Sequence, residues 1–246
     1  MSPEQQNNSS SRGGYVGVKD QRKFFVEICQ NWKSTLGSSN VEWLVKNFLL
    51  KGTSDAVNGP IAPEELYKDH VDGFKVYNSD ANLVALNSHL FLKKDDQLHW
   101  YTYRLHDERP EDELLDEQEE ELPAAMHWML PSKCFLGTWD ALIYDTDVKQ
   151  RLLNYACTSL KFAEHGVDQK IVSWNRVILL HGPPGTGKTT LCHALAQKLA
   201  IRLSHKFKTA SMLEVNSHSL FSKWFSESGK LVMKMFKKVK ASVIVS

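Results

Sequence analysis

The sequence predicts an α/β protein in two parts: a small α+β domain over residues 15–106 and a second α/β unit over residues 123–246. Three observations carry that prediction. Residues 176–180, Arg-Val-Ile-Leu-Leu, form a short apolar run suited to a buried strand, and they lead directly into the Gly-rich stretch from His181 to Thr190. Downstream, Leu191, Ala194, Leu195 and Leu199 recur at helical spacing. Between the two parts lies a dense acidic run from Asp107 to Glu121. Like charges at that density repel one another and favour a solvated, extended segment. A basic partner fits such a run, but a plain acidic linker over 107–122 is the simpler reading.

Residues 1–14 hold Ser, Asn, Gln and Gly with almost nothing to bury, which predicts a disordered tail. Residues 23–29, Lys-Phe-Phe-Val-Glu-Ile-Cys, are β-prone and predict the first strand. After Gly37, Ser39 and Glu42 have capping-box spacing, and Val41, Leu44, Val45, Phe48 and Leu49 make one helical face that Lys51-Gly52 ends. Two further strands are expected over 82–86 and 99–105, and the turn formers of 50–80 leave the elements between unordered. His70, His89, His99 and His106 are scattered without metal-ligand spacing and read as surface or packing residues. In the second part, Val148, Leu152, Tyr155, Ala156 and Leu160 trace a helix ending near Phe162. Residues 213–216 read as a short second strand of this unit. Leu231, Val232, Met235, Phe236 and Val239 mark a last amphipathic helix with lysines on its outer face.

The Gly-rich stretch carries the chemistry. Gly182 to Thr189 reads Gly-x-x-x-x-Gly-Lys-Thr, the spacing of a phosphate-binding P-loop. Glycines let the backbone curl so that successive N–H groups point inward at a phosphate, and the following helix adds the partial positive charge of its N-terminus. The candidate nucleotide contacts are Gly182, Pro183, Pro184, Gly185, Thr186, Gly187, Lys188, Thr189 and Thr190. Lys188 would reach the β/γ oxygens of ATP, and the Thr189 hydroxyl would complete a Mg2+ shell. A Gly/Pro turn that merely caps a helix has the same composition, but it does not require the strand before it or the Lys-Thr at its end.

Composition narrows the class. At 42% hydrophobic and 24% charged residues the chain is ordinary for a globular protein rather than a disordered one. A formal net charge of +1 argues neither for nor against a nucleic-acid partner. Cys29, Cys134, Cys157 and Cys192 lie far apart with no ligand spacing, which suits free thiols in a reducing compartment. No apolar run approaches the ~20 residues of a membrane span, and the N-terminus lacks a signal-peptide core. A soluble, intracellular protein is the expectation.

A P-loop alone admits kinases, helicases, GTPases and AAA+ machines. The block from Glu214 to Lys230, Glu-Val-Asn-Ser-His-Ser-Leu-Phe-Ser-Lys-Trp-Phe-Ser-Glu-Ser-Gly-Lys, narrows the field. Together with 181–189 it closely resembles the pachytene checkpoint AAA+ ATPases, the thyroid-receptor-interactor group. Residues 174–177 precede the P-loop as in that family. Residues 139–145, Trp-Asp-Ala-Leu-Ile-Tyr-Asp, resemble its segment near the adenine, and 127–131 resemble its inter-domain connector. The resemblance is strong over 123–240 and weaker over 20–106.

That resemblance implies an AAA+ large domain, ATP and Mg2+ as cofactors, and hexameric rings that open HORMA-domain proteins with the help of a small adaptor. The processes implied are meiotic recombination, chromosome-axis remodelling and spindle-checkpoint silencing. Location would be nucleus and chromosome, also cytoplasm, with neither direct nucleic-acid binding nor a membrane. It assigns Trp139, Asp140 and Leu142 to the adenine side, and Ser222, Lys223, Trp224 and Phe225 to a substrate pore loop. Residues 15–106 become the adaptor- and substrate-binding domain. An aromatic projecting into a ring can grip any extended peptide through apolar contact. On the residues alone, paired aromatics more often fill a core.

Hydrolysis needs an acidic residue at a second strand end and groups that orient water and neutralise transition-state charge. After Glu227 the sequence contains no Asp or Glu. The expectation is therefore an incomplete AAA+ domain, as in a splice isoform, incomplete gene model or fragment. It would lack the acidic Mg2+ strand end, sensors, arginine finger and lid, would bind ATP without hydrolysing it, and would be aggregation-prone. Three functions compete: the ATP-binding front half of a remodelling ATPase; a non-hydrolysing binding or dominant-negative module; and a small P-loop kinase, against which the Trp224-Phe225 turn and the long N-terminal domain argue.

Overall fold

The computed structural model describes residues 22–50, 68–78, 96–113, 125–168, 170–172, 175 and 177–215. Lys23–Gln30 forms β1, Ser38–Leu50 α1, Val71–Tyr77 β2 and Gln97–Tyr103 β3. Glu111–Glu113 forms β4 and Ala125–Leu130 β5, and a 3-10 turn spans Lys133–Phe135. Then come α2 (Thr138–Ala141), α3 (Val148–Glu164), α4 (Lys188–Arg202) and β6 (Ala210–Val215). The expected tail at 1–14, the strand at 82–86, the linker past 113, and everything from 216 onward lie outside the described residues. So do the pore-loop residues Ser222, Lys223, Trp224 and Phe225.

The first sheet has the order β2-β1-β3, with β1 antiparallel to β2 and parallel to β3. β1 is central and covered on both faces. Phe24, Val26 and Ile28 point to one side and meet Val41 and Val45 of α1 and Val76 of β2. Val26, Ile28, Val41, Val45 and Val76 are fully buried, and each such side chain contributes on the order of 1.5–3 kcal/mol. The alternate residues Phe25, Glu27 and Cys29 point the other way, toward α4. Burial on both faces explains why β1 reads as a nearly continuous apolar run.

The second sheet is antiparallel, with β5 between β4 and β6. α4 packs on both sheets. Ile201 meets Cys29 and Tyr103 on the first side, while Ala200 joins Leu130 and Phe135 on the second. The Gln197 amide closes this second contact: its Oε1 accepts from Ser132 N at 2.8 Å and its Nε2 donates to Ser132 O at 3.0 Å.

The α/β architecture is as expected, and the first strand and helix lie where the sequence puts them. Several elements differ. β2 falls in the stretch that the sequence left unordered, because Asp72, Gly73 and Lys75 interrupt its apolar pattern. Glu111–Glu113 is extended, as the acidic run suggests, but it is hydrogen-bonded to β5. An edge strand needs only backbone pairing and accepts charged side chains.

The segment expected as a buried strand before the P-loop is unpaired over residues 177–180. Val177 and Leu179 are 74% and 88% exposed. An extended segment becomes a strand only when a ladder partner takes its N–H and C=O groups, and none does among the described residues. Residues 177–179 thus present an exposed apolar surface. The apolar face read on α3 is only partly covered. Leu153, Ala156 and Ser159 are its buried residues, whereas Tyr155 and Leu160 remain 42% exposed.

Candidate functional site

The Gly-rich stretch forms a turn that closes on its own lysine. Gly185 and Gly187 both hold φ near +76°, a left-handed conformation that glycine adopts without Cβ penalty. Gly187 also admits close neighbours: a Cβ there would stand 3.2 Å from Leu142 Cδ2 and 3.4 Å from the Tyr144 hydroxyl. Its carbonyl accepts from Leu191 N at 2.8 Å, starting α4. The Thr186 hydroxyl donates to Pro183 O at 2.9 Å, cross-bracing the loop. Lys188 reaches back, its Nζ donating to Pro183 O at 2.6 Å and Gly182 O at 3.0 Å. The loop carbonyls thus hold one ammonium at the start of a helix whose first N–H groups have no intrahelical acceptor. Thr189 and Thr190 are exposed on the first turn.

Beside the loop lies an open cavity of about 780 Å³, bounded by Gly182, Pro183, Thr186 and Lys188 on one side. Val148, Leu152 and Tyr155 of α3 and the exposed segment 177–180 form the other walls. Tyr144 also lines it, and its hydroxyl is buried with no hydrogen-bond partner among the described residues. A glycine cradle, a cation at its centre, free helix N–H groups and an orphaned hydroxyl beside a roomy cavity fit a phosphate-bearing ligand. Sequence reasoning did not single out Tyr144, although it belongs to the same 139–145 block and its hydroxyl stands 3.4 Å from where a Cβ on Gly187 would be.

The structure separates the three residues assigned to the adenine side. Leu142 stands behind Gly187, its Cδ2 3.2 Å from where a Cβ would be. Trp139 is buried against Tyr77, Leu153 and Ala194. Asp140 faces the first sheet, accepting from Lys75 Nζ at 2.5 Å and from the Tyr77 hydroxyl at 3.1 Å. Lys149 fixes the turn that carries all three, donating to the carbonyls of Trp139 at 2.6 Å and Leu142 at 2.9 Å, and burial lowers its pKa from the ordinary lysine value.

A polar seam between β1 and α4 went unread in the sequence. Glu27 accepts from Lys198 Nζ at 2.8 Å and from Arg202 Nε at 2.9 Å, all three deeply buried. Lys198 lies 3.2 Å from the Tyr77 ring centroid, and Arg202 lies 4.0 Å from that of Phe25. Aromatic faces are good seats for partly desolvated cations. Desolvation dominates for Lys198 and brings its pKa down to about 8, against the pull of Glu27. The available signal was a lone Glu inside an apolar strand, which has to find cationic partners if that strand is covered on both faces. Of the scattered histidines His89 lies outside the described residues, and His106 is joined to Ser132 through its backbone. His70 pairs with the Ser34 hydroxyl at 2.9 Å, and His99 stacks on Phe25. Among the described residues no group of three or more His, Cys, Asp or Glu side chains is placed to hold a metal ion, and no helix is long and apolar enough to cross a membrane.

Comparison with known proteins agrees with this geometry. Residues 178–245 match the model of the ATPase family associated with various cellular activities (AAA). The chain is 43% identical over 228 residues to the pachytene checkpoint protein 2 homolog of Gallus gallus, an alignment covering 89% of this chain and 51% of that protein. It is 58% identical over 139 residues to the Rattus norvegicus homolog, covering 56% of this chain and 32% of that protein. The structure of C. elegans PCH-2 superposes with a TM-score of 0.63 at 32% identity, over 90% of this chain and 54% of that one. The chain therefore spans about half the length of the chicken relative it matches. With a glycine cradle closed on Lys188, an AAA match across it and these relatives, the chain belongs to the pachytene checkpoint protein 2 family of AAA nucleotide-binding proteins.

Proposed function

We propose that this chain binds Mg·ATP at Gly182–Thr190 as the front half of an AAA+ protein-remodelling ATPase. Its substrates are HORMA-domain proteins, presented by a small adaptor, in meiotic recombination, chromosome-axis remodelling and spindle-checkpoint silencing. The observation that carries the reading is the loop itself: two left-handed glycines and Lys188 held over the Gly182 and Pro183 carbonyls at the start of α4.

On this reading Lys188 exchanges its carbonyl partners for β/γ-phosphate oxygens, and the α4 N-terminus takes the remaining charge. Thr189, exposed on the first turn, supplies a hydroxyl to Mg2+. The ion's chemistry is to neutralise developing phosphate charge. Tyr144 walls the cavity beside the loop, and Leu142 stands behind Gly187. Ser222 to Phe225 serve as the pore loop, the ring is a homohexamer, and the site of action is nuclear and chromosomal with a cytoplasmic pool. These finer assignments rest on the motif matches and on kinship with pachytene checkpoint protein 2 homologs.

The experiment pairs pull-down with turnover on the full chain and its Lys188→Ala variant. Capture of HORMA and adaptor proteins together with Lys188-dependent ATP binding is expected. Binding without hydrolysis favours the non-hydrolysing module over an active remodeller. Loss of neither capture nor ATP binding in Lys188→Ala contradicts the assignment of the loop.

A further inference from the structure

Two polar links join the first sheet to the phosphate loop. The first is the Glu27 clamp on Lys198 and Arg202, whose three side chains are between 2% and 8% exposed. Lys198 belongs to the helix that opens at Lys188, so the clamp holds the same rod about 15 Å along its axis. The second link is Asp140, which accepts from Lys75 and Tyr77 of β2. Asp140 sits in α2, two residues before Leu142, whose Cδ2 stands 3.2 Å from where a Cβ on Gly187 would be. One sheet thus grips both the helix that begins the nucleotide site and the turn that leans on its last glycine.

The chemistry of the seam makes its positions discrete. Glu27, Lys198 and Arg202 satisfy one another only when the sheet is seated, and a small displacement leaves buried charges without partners or water. Full separation hydrates them again. The seam therefore favours either a seated or a released sheet over a continuum, which is the kind of bistable element through which two sites can be coupled.

We propose that Glu27 and Asp140 are positioning residues of the nucleotide site, coupling occupancy of the P-loop to the seating of the first sheet on α2 and α4. The proposal rests on the P-loop reading given above. Because coupling is reciprocal, nucleotide tightens the sheet by the same factor as the seated sheet tightens nucleotide.

The test uses the full chain with mant-ADP titration and amide hydrogen exchange, with and without saturating ADP. Expected are slower exchange in residues 23–30 and 71–77 when ADP is bound, and mant-ADP affinity weakened about fivefold or more in Glu27→Gln and in Asp140→Asn. Both variants should also lose the ADP-dependent protection of those strands. Asp140→Asn keeps the test decisive if Glu27→Gln does not fold, because it leaves the buried clamp intact. A role in stability alone lowers the melting temperature while leaving mant-ADP affinity and ADP-dependent protection unchanged, and that result overturns the proposal. Wild-type chain that shows no Lys188-dependent mant-ADP binding overturns the P-loop reading and the proposal with it. Lys188-dependent binding with unaltered exchange in 23–30 and 71–77 overturns the proposal alone.

Discussion

Glu27 and Lys198 are 171 residues apart in the chain and 2.8 Å apart in the fold. Their contact unites the first strand with the helix that opens the nucleotide site, and it is buried on both sides. Removing one member of a buried ion pair costs on the order of 3–5 kcal/mol, because the partner charge remains without compensation. Glu27→Gln strands two cations, so its urea midpoint should fall sharply. Lys133→Ala, which removes the exposed contact to Asp107, should leave the midpoint unchanged. Equal midpoints for the two variants would contradict the burial of the clamp.

Lys198 also gives the stability a pH signature. Burial holds its folded pKa at about 8, below its ordinary value of 10.5. Between those values the unfolded chain binds a proton there that the folded chain does not, so this contribution to stability rises with pH above about 8. Cys29 works in the opposite sense: burial raises its thiol to about 11, so the folded chain keeps a proton that the unfolded chain loses above 9.0. Comparison with Lys198→Met isolates the lysine. The stability of wild type relative to this variant should increase from pH 7 to pH 9 in denaturant titrations, and a decrease would reverse the sign argued here.

The two left-handed glycines of the loop make a paired test. Gly185→Ala meets open space and incurs only the backbone penalty of roughly 1–2 kcal/mol. Gly187→Ala adds a Cβ 3.2 Å from Leu142 and 3.4 Å from the Tyr144 hydroxyl, so the 142–144 segment has to yield as well. Nucleotide affinity should fall further in Gly187→Ala than in Gly185→Ala. The reverse order would show that Leu142 does not press on the loop.

Leu179 is 88% exposed and Val177 74%, forming part of an open apolar face beside the cavity. Patches of this kind drive association. Leu179→Glu should reduce light scattering of the purified chain with little change in its unfolding midpoint. A large loss of stability would mean that the side chain is covered in solution.

How far the sequence discloses this protein varies by element. The glycine turn that closes on Lys188 and opens α4 was legible, because its conformation is set by local residues at fixed spacing. β1 was legible from its β-prone apolar run and α1 from periodicity. β2 was not, because Gly73 and Lys75 break its pattern and its place depends on the register Glu27↔Lys75 with a distant strand. The strand expected before the P-loop shows the opposite case: residues 177–180 have the composition, but pairing depends on partners that composition does not supply. The Glu27 clamp was hidden for a related reason. A glutamate in a strand reads as solvent-facing until the helix that covers it is known to carry two cations. Of the three residues assigned to the adenine side, Leu142 stands behind Gly187, while Trp139 and Asp140 turn toward the first sheet, a division made by the tertiary packing of α2.

The central claim is that the loop closed on Lys188 is a nucleotide site. Calorimetric titration of Mg·ATP into the full chain, beside Lys188→Ala, tests it most directly. The account predicts saturable one-to-one binding that the alanine variant loses. Equal binding by both proteins, or none by wild type, would contradict it.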